Sequence, residues 1–307
     1  MRMMFLLLRC ATGGLLVTGL VAIAPAANAA TDKTATVTKA ATTATTAKTA
    51  ANVRPAGVRA PSAELANAAT GADLWSRSSV TERPMGSITK VMTAYVVIEA
   101  GGLNRVITVP KGITSYDEKY GASTAGLVPG EKLTALQLLY AMLLPSGCDA
   151  AYTLAAAYGP GVPAFVARMN ATAARLGLSK THFSDPAGLP DPGEYSTYST
   201  ARDLVSLGRD AMRLWLFRQI VGTGEYQVAA GDGHRAHTWT TTNWLLGNYP
   251  GAVGIKTGDT VAAGQCLMFE ARRGGTTLIG VVLHSSEDDP DTMFSDATAM
   301  LNWGFSR

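Results

Sequence analysis

The stretch "GSITKVMTAY" (Gly86–Tyr95) decides how the rest of the chain is read. Ile88, Val91, Met92 and Tyr95, continued by Val96, Val97 and Ile98, give the pattern of a mostly buried helix. A lysine sits badly in such a helix unless it has work to do. Lys90 follows Ser87 by three positions, so both side chains project from one helical face with Cβ atoms about 5–6 Å apart. Serine is a poor nucleophile alone and needs a base. A lysine withdrawn from water loses preference for its charged form and becomes that base near neutral pH. The spacing also arises by chance about once in a chain this long, and a lysine on a core helix can instead snorkel to solvent.

Two further motifs supply the missing context. "LLPSGCDAA" places Ser146, Gly147 and Cys148 in a sharp loop between two helices, and "GIKTGDT" places Lys256, Thr257 and Gly258 on a strand. S-x-x-K, then S-x-polar, then K-T-G, in that order and on helix, loop and strand, is a signature of active-site serine enzymes.

On "RPMGSITKVMTA", "LLPSGCDAAYTLA", "HFSDPAGLP", "YSTARDL" and "GAVGIKTGDTVAAGQCLMFEARRGG" the chain resembles the low-molecular-mass penicillin-binding proteins, serine D-Ala-D-Ala carboxypeptidases and transpeptidases, over roughly residues 63 to 307. The resemblance implies an α/β fold of the penicillin-binding/β-lactamase-like type: a five-stranded, mostly antiparallel sheet flanked by helices, with an inserted all-α lobe. It implies acyl transfer on peptidoglycan stem peptides ending in D-Ala-D-Ala, covalent inhibition by β-lactams, and no cofactor or metal. Carried over by position, Ser87 attacks the penultimate D-Ala carbonyl, Lys90 takes its proton and Ser146 relays a proton to the leaving group. Lys256 and Thr257, with Gly258, hold the substrate's terminal carboxylate. The N–H groups of Ser87 and Asp259 form an oxyanion hole, each such donor being worth about 3–4 kcal/mol in the transition state.

Three positions depart from the usual pattern. Cys148 replaces an Asn that hydrogen-bonds the substrate peptide, and a thiol is a much weaker donor; a small branch of the family shares Ser-Gly-Cys. This cysteine either fills space or, in a cleft open to solvent, makes the site sensitive to oxidation and mercurials. Thr242, fourteen residues before Lys256, stands about where many relatives carry a carboxylate-binding Arg. Asp259 adds negative charge beside the oxyanion hole. The last two tilt the expectation toward transpeptidation over hydrolysis.

The alternatives are a non-catalytic peptidoglycan- or penicillin-binding protein, favoured only by Cys148, and a β-lactamase. The latter needs Ser-Asp-Asn in the middle motif and a Glu for deacylation, and Glu194 in "LPDPGEYST" lacks the surrounding pattern. His234 and His237 form H-x-x-H without an intervening Glu, so they read as surface histidines and not as zinc ligands.

Outward from these motifs, residues 1–29 read as a signal peptide: Arg2 and Arg9, an apolar run from Cys10 to Ala24, then a small-residue cleavage site at Ala27-Asn28-Ala29. Residues 30–60, rich in Thr, Ala and Lys, read as a solvated tether. Residues 61–307 form the catalytic domain, with an α/β lobe from about 61–100 and 223–307 and a helical lobe at about 101–222. With Arg2, Arg9, Lys33, Lys39, Lys48, Arg54 and Asp32 set aside, 20 basic residues face 22 acidic ones, so the whole-chain pI of 8.7 does not describe the body. That balance offers no nucleic-acid surface. The expected product is secreted to the wall, monomeric, and without a membrane anchor after processing. Cys148 and Cys266 are expected to be free thiols.

Overall fold

The computed structural model describes residues 54–307 except residue 232. The expected signal peptide and residues 30–53 of the expected tether lie outside the described residues. In chain order the elements are β1 (Ser62–Asn67), β2 (Asp73–Arg77), α1 (Lys90–Ala100), β3 (Val106–Thr108), α2 (Ile113–Tyr120), β4 (Lys132–Thr134), α3 (Ala135–Leu143), α4 (Cys148–Tyr158) and α5 (Val162–Arg175). They continue with α6 (Ala201–Arg213), α7 (Trp215–Val221), β5 (Glu225–Val228), β6 (His237–Thr240), β7 (Ala252–Gly258), β8 (Cys266–Arg273), β9 (Thr276–Leu283) and α8 (Asp291–Phe305).

The main sheet has five strands in the order β2-β1-β9-β8-β7, every neighbouring pair antiparallel. Its first and last strands in the sequence meet because β9 pairs with β1, Leu65 standing opposite Gly280. Alternation along β8 sends Leu267, Phe269 and Ala271 to one face, where they join Met293, Ala297, Met300 and Leu301 of α8. Met268 points the other way, into the core shared with Val91 of α1 and Leu204 and Leu207 of α6. With both faces covered, β8 and β9 read as almost unbroken apolar runs. Each side chain fully buried this way contributes about 1.5–3 kcal/mol. The two covering helices approach closely through glycine: a Cβ at Gly208 of α6 would meet Met268 Sδ at 2.9 Å, and one at Gly304 of α8 would meet Leu278 Cδ1 at 2.6 Å.

Local chemistry sets several boundaries. Asn67 accepts the Ala69 and Thr70 N–H groups and closes the β1–β2 turn. Thr134 and Gln137 form a reciprocal capping box on α3. Thr200 caps α6, but Asp203 does not close the box, because its carboxylate is taken by the Lys180 N–H and the Thr181 hydroxyl. The last helix begins at Asp291, five residues before the apolar-rich "DATAMLNWGF" segment that makes up most of it. Helix α2 gives no sequence signal: of "ITSYDEKY" only Ile113 is buried, so it has no apolar stripe.

The lobes divide differently from the sequence expectation. Helices α6 and α7, placed in the helical lobe by the boundary near 222, lie on the sheet. Gly208 abuts β8 and β9, and Gly254 of β7 abuts Val221 of α7. The β5–β6 hairpin, assigned to the α/β lobe, packs on helical-lobe residues instead. Tyr226 stacks on Tyr140 of α3 at 3.8 Å, and Trp239 Nε1 donates to the Ala125 carbonyl. His237 of β6 is buried and bonded to Glu131 at 3.2 Å, so it is not the surface histidine expected. Residues 55–60, placed in the tether by composition, are docked: the Asp296 carboxylate accepts the Arg59 and Ala60 N–H groups, and Arg77 holds the Val58 and Ala60 carbonyls. No helix among the described residues is long and apolar enough to cross a membrane.

Candidate active site

Ser87 lies in a single 3₁₀ turn, Gly86–Thr89, that feeds directly into α1. The turn puts Lys90 at the first position of the helix, where its side chain is fully buried. Lys90 Nζ is the centre of the site. It lies 2.7 Å from Ser87 Oγ, 3.2 Å from Cys148 Sγ, 3.3 Å from the Ala187 carbonyl and 3.4 Å from Ser146 Oγ. An ammonium has three protons to give, so four acceptors cannot all be served at once. The amine is held between two hydroxyls with a choice of partners, the arrangement a proton carrier needs.

Ser146 reaches Lys90 from a left-handed backbone, φ +66°, a conformation that costs a residue with a Cβ about 1–2 kcal/mol. Its loop is pinned. Ser123 Oγ donates to the Ser146 carbonyl at 2.8 Å, and the Cys148 N–H donates to the Ser123 carbonyl at 2.8 Å. The adjacent Asp149, completely buried, accepts the N–H groups of Ala125, Leu127 and Ala150. Burial raises its pKa, and those backbone donors oppose the shift. Asp149 thus clamps the 123–127 loop to the Ser146 loop.

Of the two readings open for Cys148, burial favours the first. The thiol is 1% exposed, and burial pushes its pKa up despite the neighbouring Lys90. A buried thiol with a raised pKa is a poor nucleophile, which favours the space-filling reading over the oxidation-sensitive one. Cys148 nevertheless lines the active-site cavity. Cys266 is also free and buried.

Strand β7 brings the third motif alongside. A Cβ on Gly258 would meet the Met85 carbonyl at 2.5 Å and Ser87 N at 3.0 Å, so only glycine lets the strand pass this close to the Ser87 turn. Gly86, φ +52°, answers it, its own missing Cβ lying 2.7 Å from Asp259 N. The backbones that carry the Ser87 and Asp259 N–H groups therefore run against each other, and neither N–H has an acceptor among the loop and turn bonds of the described residues. Lys256 is 1% exposed and donates to the Thr257 carbonyl at 2.9 Å. Burial, reinforced by the charge of Lys90, drives its pKa well below the ordinary lysine value. The Thr257 hydroxyl lies 2.6 Å from that of Thr242, which its own N–H ties to the Leu144 carbonyl.

Sequence reasoning missed a fourth support. Asp185 of "HFSDPAGLP" accepts the N–H groups of Ala187, Gly188 and Leu189 and a 2.5 Å bond from the Tyr116 hydroxyl. The turn so formed aims the Ala187 carbonyl at Lys90, and Thr93 anchors the same turn through the Pro186 carbonyl at 2.6 Å. Asp in a Pro-containing, Gly-containing loop was the available signal; its partner Tyr116 had none. In front of Ser87 opens a cavity of about 640 Å³, bounded by Tyr120, Cys148, Leu189, Asp259 and Glu287.

A serine on the cavity wall, a buried lysine 2.7 Å from its hydroxyl and a second buried lysine on the strand that passes beside it define the class of active-site serine acyl-transfer enzymes. The chain belongs to the D-alanyl-D-alanine carboxypeptidase family, which it matches over residues 35–287. It is 41% identical over 252 residues to a D-alanyl-D-alanine carboxypeptidase of Streptomyces sp. strain K15, covering 78% of this chain and 85% of that one. It is 36% identical over 263 residues to the carboxypeptidase DacB2 of Mycobacterium tuberculosis, covering 83% and 87%. The crystal structure of the Streptomyces K15 DD-transpeptidase superposes with a TM-score of 0.76 at 40% identity, over 81% of this chain and 98% of that one. The expected family, α/β fold and activity are thereby shown: the protein is a serine-type D-Ala-D-Ala peptidase acting on peptidoglycan stem peptides and binding β-lactams.

Proposed function

We propose that Ser87 is the nucleophile, Lys90 its base and Ser146 the proton relay in this peptidase. The observation that carries the assignment is the position of Lys90 Nζ between the two hydroxyls. Ser87 Oγ attacks the penultimate D-Ala carbonyl while its proton passes to Lys90 Nζ. The oxyanion is received by the N–H groups of Ser87 and Asp259. Collapse breaks the peptide bond, and a proton delivered through Ser146 leaves with the amine of the terminal D-Ala. An acceptor then attacks the Ser87 ester and frees the serine. Lys256, Thr257 and Thr242, with Gly258 providing the close approach, hold the terminal carboxylate, whose charge restores the ammonium form of Lys256. Cys148 borders the substrate as part of the cavity wall.

The acceptor is more readily an amine than water. Thr242 stands without an arginine's grip on a carboxylate, and Asp259 and Glu287 give the cavity mouth a negative charge that draws in an ammonium-bearing acceptor. Extracytoplasmic action on peptidoglycan is the family's setting, and a signal peptide at 1–29, with a spacer behind it, provides the route there. The protein works as a monomer. The test is to supply a peptide ending in D-Ala-D-Ala, with and without glycine as acceptor, and to separate the products. Release of D-Ala that fails in Ser87→Ala supports the assignment, and release that survives it overturns it. A glycine adduct outgrowing the hydrolysis product supports the amine preference; hydrolysis alone contradicts it.

A further inference from the structure

A second cavity, about 600 Å³, opens between α7 and the main sheet, at the end of β7 opposite Gly258. Glu270 of β8 borders it, together with Met212, Trp215, Arg218, Val253 and Arg272. Glu270 is only 7% exposed, and among the described residues its side chain has neither a hydrogen bond nor an ion pair. Its carboxylate oxygens are not sealed from solvent, so they turn to the cavity and leave its water as the partner that a ligand's donor can replace. Burial pushes this one up to about 7, with the charge of Arg218 opposing. Beside it Trp215 is 63% exposed. A large flat apolar side chain left in water next to a concave polar site is a binding feature.

The surrounding groups narrow the ligand. Two arginines at the rim disfavour a cation. A carboxyl at the floor disfavours an anion. A neutral ligand rich in hydroxyl and amide groups fits both: its hydroxyls bond to Glu270, its carbonyl and ring oxygens accept from Arg218 and Arg272, and its apolar C–H face lies on the Trp215 indole. We propose that this cavity binds an N-acetylated sugar of the glycan strand that carries the stem peptides. Strand β7 links the two sites, Val253 at the sugar cavity and Gly258 at the nucleophile turn being about 16 Å apart along it. The cavity thus holds the polymer while Ser87 works on a peptide attached to it. The choice of polymer rests on the peptidoglycan reading; the cavity's chemistry does not.

The test uses the full chain, with and without prior reaction with benzylpenicillin, titrated with the β-1,4-linked tetramer of N-acetylglucosamine by calorimetry and saturation-transfer NMR. Saturable binding that persists after the penicillin reaction is expected. Trp215→Ala, a change at an exposed position, weakens it at least tenfold, and the isosteric Glu270→Gln weakens it threefold or more, both with native circular dichroism. Absence of tetramer binding up to millimolar concentration overturns the proposal. So does binding that both variants retain at full strength, or binding that the penicillin adduct abolishes. Failure of benzylpenicillin to react counts against the Ser87 assignment and leaves this cavity to be judged on the untreated chain.

Discussion

Two lysines of this protein are buried almost equally, Lys90 at 0% and Lys256 at 1% exposure, and they are furnished in opposite ways. Lys90 is met by four acceptors from three separate segments: the Ser87 turn, the Ser146–Cys148 loop, which supplies two, and the Asp185 turn. Among the described residues Lys256 bonds only to its neighbour Thr257, and burial pushes its pKa well below the ordinary lysine value. The first has its partners built in, which suits the proton transfers proposed for it. The second has room for one more partner, which suits the proposed carboxylate. A buried charge is tolerated when paired, so on the proposed roles the pattern of pairing, more than burial itself, separates a proton carrier from an anion receptor.

The comparison is open to attack by mutation. Lys90→Met should slow acylation by benzylpenicillin about 10²–10⁴-fold, the usual worth of a general base, measured by stopped-flow or quench mass spectrometry; a loss under tenfold would remove Lys90 from the proton path. Lys256→Met should cost about 10–100-fold in kcat/KM on a peptide with a free terminal carboxylate, the worth of a charge-assisted hydrogen bond. On the same peptide with its terminus amidated the two proteins should differ little. Equal losses on both peptides would make Lys256 structural.

Glu270 is the carboxyl counterpart of Lys256, buried without a donor. Its folded-state pKa, raised from 4.5 to about 7, means the folded chain holds a proton that the unfolded chain gives up between those values. Stability should therefore fall as pH rises from about 4.5 to about 7, by on the order of 2 kcal/mol. Glu270→Gln should flatten that slope in urea titrations at several pH values; an unchanged slope would refute the burial argument. Tyr116→Phe tests the smallest effect. Loss of one hydrogen bond to Asp185, about 1 kcal/mol, should lower kcat about fivefold with little change in KM, because Tyr116 acts on Lys90 only through the turn at Ala187.

The sequence made the central triad of motifs legible because each is a short stretch whose chemistry survives being read in one dimension. Ser87 and Lys90 share one turn, and Lys256 and Thr257 are adjacent, so their proximity follows from spacing. Strands β8 and β9 are of the kind a sequence shows, because "CLMFEARR" and "TTLIGVVL" are apolar and β-prone. What stayed hidden depends on contacts between distant segments. Asp185 matters through Tyr116 and Ala187, and Asp149 through Ala125 and Leu127, pairings that no local pattern announces. The lobe boundary was misplaced for the same reason. An amphipathic helix such as α6 declares an apolar face but not which surface covers it. The burial of Cys148 was missed because a cleft-lining residue was equated with an accessible one; Lys90 and Ser123 close over its sulfur.

The most direct measurement is the intact mass of the protein after incubation with benzylpenicillin, beside Ser87→Ala. One penicilloyl group on the wild type, mapped to the peptide containing Ser87 and absent from the variant, is the result predicted. An unmodified wild type with intact penicillin recovered, or an adduct that Ser87→Ala still forms, would contradict the account at its centre.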